Sequence, residues 1–234
     1  LEDNCEALGT ELATGKTGNF GLASSFSFFV AHHMSTIEGG MVCTNNDRLA
    51  DMLVVVRANG WDRNLHPDKQ KKWRDDHGVK TEFDSKYTFY DLGFNFRPTE
   101  ITGFLGLSQL KLVDSNIKIR EKNHLSFEAV IKENPDLIAL DRRHIKTLSA
   151  FALPVVCKTP KIKERYKKRF SDAGIEIRPL IAGNMQKQPF YKKYVGDDSS
   201  LPGADFLHNN GFYCGNYPDL SPGDIKIILS CLKP

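Results

Sequence analysis

The feature that most constrains the fold is a double change of rhythm between residues 151 and 180. FALPVVC (151–157) is a short apolar strand-like run. KIKERYKKRFSDAG (161–174) is a basic helical stretch ending in glycine, and IEIRPL (175–180) returns to strand character. The front of the chain alternates in the same way. SSFSFFV (24–30) has the aromatic content of a buried strand, and GGMVCTN (39–45) gives another. Asn46 or Asp47 then starts a helix with Leu49, Met52, Leu53 and Val56 along one face, closed by Asn59-Gly60. TEIT, from Thr99, caps a helix whose stripe of Gly106, Leu110, Val113 and Ile117 continues towards Asn134-Pro135, predicting one long helix that bridges two domains. Ser221, Pro222 and Asp224 open a last helix with Ile225, Ile228, Leu229 and Leu232 on its apolar face. The fold class is therefore α/β, with one domain over 1–115 and an α+β C-terminal domain over 116–234, joined by the long helix.

Composition narrows the function classes. A formal charge of +3 with 26% charged residues gives no case for nucleic acid. The basic helix has no interleaved stacking aromatics and reads as a solvated face. No apolar run reaches the ~20 residues of a membrane span, and the front has no secretory signal pattern. The five cysteines are scattered and without a CxxC pair, which suits reduced thiols in a cytoplasmic protein better than a disulfide framework or a metal cage. Residues 61–90 are dense in charge and predict a long polar loop of the kind that carries function or moves.

Two stretches carry candidate chemistry. In LEDNCEALG the acidic pair Glu2-Asp3 follows a leucine that can end a strand, with Glu6 three residues beyond Asp3. The carboxyl edge of a parallel sheet is where α/β proteins bind ligands, while a helix-capping aspartate is the plainer alternative. In SFSFFVAHHMSTIEGGMVCTN, His32 and His33 stand where the strand gives way to a loop. Adjacent residues on an extended segment point to opposite sides, so the pair is poorly arranged for one metal ion, and the other histidines show no ligand spacing. An acid–base group titrating near ~6.5 and a quietly bonded loop histidine both remain open.

The string from Ser27 through His32 to Glu38-Gly39-Gly40 closely resembles the signature of the pyridoxal-phosphate sugar aminotransferases of the DegT/DnrJ/StrS type. In that family the position of His32 is the cofactor-binding lysine. EDNCEALG, KYTFYDLGFNFRPTE (86–100) and IRPLIAGNMQKQP (177–189) also resemble the family's lysine-less branch, the 3-dehydratases of 4-keto-6-deoxy nucleotide sugars. The resemblance implies an aspartate aminotransferase-like transferase of fold type I, here with a partial large domain and the small C-terminal one. It implies that Asp3 pairs with the pyridinium nitrogen, that Ser27 contacts the cofactor phosphate, and that Glu6 lies close to the cofactor. Asn95 would reach the phosphate from the neighbouring subunit, so a homodimer is expected. Tyr87, Arg178 and Asn184 would approach the substrate, and His33 would orient or only support.

Imidazole cannot take the lysine's covalent role. The resemblance therefore implies a non-covalently held pyridoxal or pyridoxamine 5'-phosphate. His32 would take a proton from the cofactor's C4′ carbon and return one to the departing 3-hydroxyl of a nucleotide-linked 4-keto-6-deoxyhexose. One type of this branch carries an iron–sulfur cluster on a cysteine-rich insertion. GWDRNLHPDKQKKWRDDHG has no cysteine, so no cluster is expected and glutamate is the expected amino donor. The family also implies that a glycine–threonine phosphate loop, a stacking aromatic and the first strands of the large sheet precede Leu1. A 4-ketosugar aminotransferase and a catalytically impaired binding protein are the competing readings.

Overall fold

The computed structural model describes residues 1–197 and 199–234. The chain forms two compact units, one of Leu1–Glu6 with Thr17–Lys111 and the other of Ala7–Lys16 with Leu112–Pro234.

In the first unit, β1 (Glu2–Asp3), β4 (Ser24–Ser27) and β5 (Gly40–Cys43) form a sheet in the order β1-β4-β5. β1 runs parallel to β4, with Asp3 opposite Ser25, and β5 is antiparallel to β4, with Gly40 opposite Ser27. The strand expected over 24–30 ends at Ser27, and Phe29 and Val30 are exposed. Ser27 Oγ accepts the Phe29 N–H at 3.2 Å, a local turn that competes with further pairing.

Helix α1 (Asp47–Val56) starts where Asn46 accepts the Leu49 N–H, and the chain turns away from its end through Asn59 (φ +60°) and Gly60 (φ +83°), whose N–H donates to Val55 O. Its most buried residue is Val55. Residues 61–90 are not the long loop expected. They contain α2 (Pro67–Asp76) and α3 (Glu82–Ser85). Proline in the first turn of α2 supplies a start signal hidden among the charges. Arg74 then ties α2 to the fully buried Asp62 at 2.7 Å, and Lys69 ties it to Asp51 at 2.7 Å.

The long helix expected from 99 to 134 is two helices, α4 (Glu100–Leu110) and α5 (Val113–Glu133), with a turn at Lys111-Leu112 where the chain passes between units. Each helix carries its own apolar face, and the spacing alone does not reveal the interruption. Thr99 and Thr102 form a reciprocal capping box at the start of α4.

In the second unit, β7 (Ala152–Val156), β8 (Ile177–Pro179) and β9 (Gly211–Gly215) form an antiparallel sheet with β9 in the middle. Pro154 lies on the edge strand β7, where a missing N–H is tolerated. Phe127 and Ile131 of α5, Tyr166 and Phe170 of α6 (Pro160–Asp172), and Ile228 and Leu232 at α9 (Pro222–Cys231) pack with Leu153, Val155 and Phe212 of this sheet as the core. The predicted cap of α9 is present, Ser221 accepting from the Asp224 N–H while the Asp224 carboxylate accepts from Ser221. Two short helices, α7 (Pro189–Tyr194) and α8 (Pro202–Asn210), follow β8.

Asn216, just after β9, and Arg120 of α5 join that helix to the chain just before β7. Asn216 donates to Arg120 O at 2.9 Å and to Ala150 O at 3.1 Å, and Arg120 donates to Asn216 O at 2.5 Å and Phe151 O at 3.1 Å.

A first domain unbroken over 1–115 was the expectation, and residues 7–16 depart from it. β2 (Glu11–Leu12) pairs with β3 (Gly15–Lys16) on one side and with β6 (Ile145–Thr147) on the other. Ser149 Oγ donates to Leu8 O at 2.6 Å. Pairing to residues far along the chain, not sequence order, assigns this excursion to the second unit. Among the described residues no helix is long and apolar enough to cross a membrane. The basic side chains of α6 are largely engaged, with Arg165 on Asp136, Lys167 on Glu164 and Lys168 on Asp172.

Candidate active site

Asp3 ends β1, and Ser25 and Ser27 end the neighbouring parallel strand. Residues paired across a sheet or two apart along a strand share a face, so these three side chains occupy the same face of one sheet end. Asp3 Oδ1 accepts the Cys5 N–H at 3.1 Å and the Ser25 hydroxyl at 3.2 Å. Hydrogen bonds from the Cys5 thiol and backbone, joined by Ser25, hold the Asp3 carboxyl below the usual carboxylate range against the opposing effect of burial. The arrangement is an exposed carboxylate kept ionised by its hydrogen-bonding neighbours. Glu6 is exposed beyond it.

Glu2, one residue earlier, does work that the sequence did not announce. Its carboxylate accepts the N–H groups of Gly18 and Phe20 at 2.6 Å each, and that of Gly21. The Gly18 bond is the strongest of the influences that lower its pKa. A carboxylate depressed in the folded state stabilises the fold fully above its unfolded pKa and loses that contribution as pH falls through the lower folded value. Acidification below about pH 4.5 is therefore expected to release the 18–21 turn. Hydrogen exchange at the Gly18, Phe20 and Gly21 amides, compared with amides of α1 over the same pH range, checks this. Uniform pH dependence at all of them would refute it.

The loop from β4 to β5 carries His32. His32 N–H donates to Phe29 O at 3.0 Å, and its ring meets Phe29 edge-on with centroids 5.9 Å apart. The loop is closed on itself by Phe28 N–H to Gly39 O at 2.9 Å and Thr36 N–H to Phe28 O at 2.8 Å. Gln109 of α4 accepts the Ser35 N–H at 2.8 Å. The two glycines after Glu38 have a steric reason: a Cβ on Gly39 would lie 2.3 Å from Thr36 Oγ1, and one on Gly40 would lie 2.9 Å from Phe26 O. Ile37 adopts φ +72°, a strained setting for a β-branched residue. His32 is half-buried and His33 buried. His32 is thus carried on a turn whose backbone is fixed without the imidazole. Among the described residues no group of three or more His, Cys, Asp or Glu side chains is arranged to hold a metal ion.

Asn95 is exposed and bridges Ala58 through the backbone, while its Oδ1 accepts from Arg97 Nε at 2.9 Å, leaving its amide hydrogens available. Tyr87 is 72% exposed and meets Trp61 edge-on with centroids 6.0 Å apart. In the second unit, Arg178 is exposed and pairs with Glu176 at 2.6 Å. Asn184 differs from its expected presentation to a ligand. It is 2% exposed, its Oδ1 accepts the Gln186 N–H at 3.0 Å, and its Nδ2 donates to Asp205 at 2.9 Å. Its amide caps a 3₁₀ turn over Met185–Lys187. Asp205 and Gln109 are partners that no local motif points to, because each acts across a long sequence separation.

A profile of the DegT/DnrJ/EryC1/StrS aminotransferase family matches residues 1–233. The GDP-4-keto-6-deoxy-D-mannose 3-dehydratase of Escherichia coli O55:H7 is 34% identical over 221 residues, covering 93% of this chain and 56% of that protein. A solved structure of the E. coli GDP-4-keto-6-deoxy-D-mannose-3-dehydratase with bound hydrated PLP superposes with a TM-score of 0.87 at 32% identity, over 99% of this chain and 59% of that one. A second structure, of GDP-4-keto-6-deoxymannose-3-dehydratase with a trapped PLP-glutamate geminal diamine, gives a TM-score of 0.86 at 30% identity, over 98% and 59%. The chain spans less than two thirds of the length of these relatives. With its whole sheet-end site lying inside the matched region, the chain belongs to the DegT/DnrJ/EryC1/StrS aminotransferase family.

Proposed function

We propose that the protein removes the 3-hydroxyl of a nucleotide-linked 4-keto-6-deoxyhexose, of the GDP-4-keto-6-deoxymannose type, with pyridoxal or pyridoxamine 5'-phosphate as cofactor and glutamate as amino donor. The observation that carries this reading is a histidine, on the turn that follows β4, where the family's pattern has lysine. No lysine occurs between Lys16 and Lys69, so the loop has no amine to offer instead.

The residues present suit the cofactor. Asp3, exposed and with its charge maintained by Cys5 and Ser25, fits a protonated ring nitrogen. Ser27 uses its oxygen to accept from Phe29 and keeps its hydroxyl hydrogen for a phosphate oxygen. Bound there, pyridoxamine phosphate supplies an amine for the 4-keto carbon and a conjugated ring that accepts electrons. Asp3 stabilises the ring proton by charge. His32 takes a proton at the cofactor's C4′ carbon and, as imidazolium, delivers it to the departing 3-hydroxyl, a double duty open to an imidazole because it can both accept and donate a proton. Asn95, with its amide hydrogens open, is suited to reach the phosphate of a second copy in a homodimer. Tyr87 and Arg178 offer a ring and a guanidinium to the nucleotide sugar, and Asn184 shapes the 181–184 loop from beneath.

The relatives named for 3-dehydration and the one trapped with a glutamate adduct support the choice of reaction and donor. The absence of cysteine between Cys43 and Cys157 supports glutamate over a cluster. The test incubates the full-length protein with pyridoxal phosphate, glutamate and GDP-4-keto-6-deoxymannose. A 3-deoxy-4-keto product, formed with one 2-oxoglutarate and one ammonia per turnover, is expected. A 4-amino sugar with the 3-hydroxyl retained would overturn the proposal in favour of transamination.

A further inference from the structure

Residues 60–63 hold both ends of the short segment that displays Tyr87 and Phe89. At one end Gly60 O accepts the Tyr90 N–H at 2.8 Å. Asp62 Oδ2 accepts from the Tyr90 hydroxyl at 3.4 Å and from Arg74 Nε at 2.7 Å. At the other end the Arg63 guanidinium donates to Lys86 O, lying 3.8 Å from the Trp61 ring centroid and 5.1 Å from that of Tyr87. Trp61 packs on Phe89 with centroids 5.4 Å apart. Beyond Tyr90 the backbone is sewn to the end of α1 by Asn59 N–H to Phe94 O, Phe94 N–H to Val56 O and Phe96 N–H to Arg57 O. Glycine is required for that approach: a Cβ on Gly60 would sit 2.0 Å from Asp91 O, and one on Gly93 would sit 2.3 Å from Gly60 N.

Asp62 is the buried centre of this arrangement, 0% exposed, with no hydrogen-bond partner for its Oδ1 among the described residues. A carboxylate so placed is a poor device for stability alone, since its desolvation offsets much of the attraction to Arg74. What it contributes is geometry. Tyr87 is 72% and Phe89 is 55% exposed, rings held on one side by Trp61 and Arg63 with much of their surface open.

We infer that Asp62 is a positioning residue, which with Arg74 and Tyr90 fixes residues 86–90 so that Tyr87 and Phe89 are presented already ordered to the nucleotide-linked sugar. This rests on the proposed function, in particular on Tyr87 meeting the substrate. An ordered segment spares the binding step the entropy of arranging it, so loosening the anchor weakens substrate binding and leaves the proton transfers at His32 alone.

In the full-length protein, Asp62→Asn is expected to raise KM for the nucleotide sugar about tenfold or more while kcat stays within about threefold. The chain's two tryptophans both lie in this cluster, Trp61 on Phe89 and Trp73 against Tyr90. Their emission is expected to shift to the red in the free variant and to return towards the wild-type position at saturating substrate. Tyr90→Phe removes one hydroxyl only, so it retains the fold if Asp62→Asn does not, and it should raise KM to a smaller extent. Wild-type KM in both variants, or a fall in kcat at unchanged KM, overturns the inference. Tyr87→Ala separates it from the reading beneath: raised KM there with wild-type KM in the two anchor variants defeats the positioning role alone. Wild-type KM in Tyr87→Ala removes the substrate contact and the inference with it, and absence of any 3-deoxy product from the wild type defeats the proposed function itself.

Discussion

A His32→Asn variant of the full-length protein is expected to lose 3-dehydration by about two orders of magnitude or more, the usual worth of a positioned general acid–base group. Asparagine is close to imidazole in reach and keeps a hydrogen-bonding end, but it cannot take up a proton near neutral pH. The turn that carries it survives the change, because it is closed by backbone bonds from His32 to Phe29 and from Thr36 to Phe28 that do not involve the ring. Cofactor affinity, followed by absorbance titration with pyridoxamine phosphate, should therefore stay near wild type while product formation collapses. Equal activity in the variant would falsify the acid–base role and with it the mechanism proposed for the loop.

The second large effect concerns stability. Asn216→Ala is expected to destabilise the protein by about 2–4 kcal/mol, because it removes two buried hydrogen bonds, to Arg120 O and Ala150 O. It also loosens the frame in which Arg120, 2% exposed and with its pKa lowered by burial, donates to Asn216 O and Phe151 O. A fall of roughly 10 °C in the thermal midpoint is the corresponding readout. A fall of under ~2 °C would mean that water replaces the lost bonds and that the network is not closed to solvent.

Much of the fold was legible because its signals are local. Asn46, the Asn59-Gly60 pair, Thr99 and Ser221 with Asp224 each set a helix end through atoms within a few residues, and each is found where the sequence placed it. What escaped notice was decided at a distance. The charge of residues 61–90 hid α2, whose place is set by Arg74 meeting a buried Asp62. The break at Lys111-Leu112 leaves no proline or glycine behind it. At the site, Asp3, Ser27 and His32 were found through a spacing pattern, and the sheet register places Asp3 and Ser27 at one end of one sheet. The same kind of pattern singled out Asn184 without revealing that Asp205 and Gln186 already engage its amide. Glu2 was overlooked because an acidic residue beside Asp3 looks like surface charge until the three N–H groups around it are seen.

The excursion of residues 7–16 bears on how such a protein can be dissected. The chain leaves the first unit after Glu6, returns at Thr17, and leaves again after Lys111. Neither unit is a contiguous piece of sequence, so a cut at Lys111-Leu112 does not separate them. A fragment beginning at Leu112 would strip β6 of its neighbour β2 and Ser149 of its contact with Leu8. Asp3 of one unit and the strand β2 that pairs with β6 in the other are joined by a few residues near the front of the chain, which makes the two units inseparable as cloned pieces.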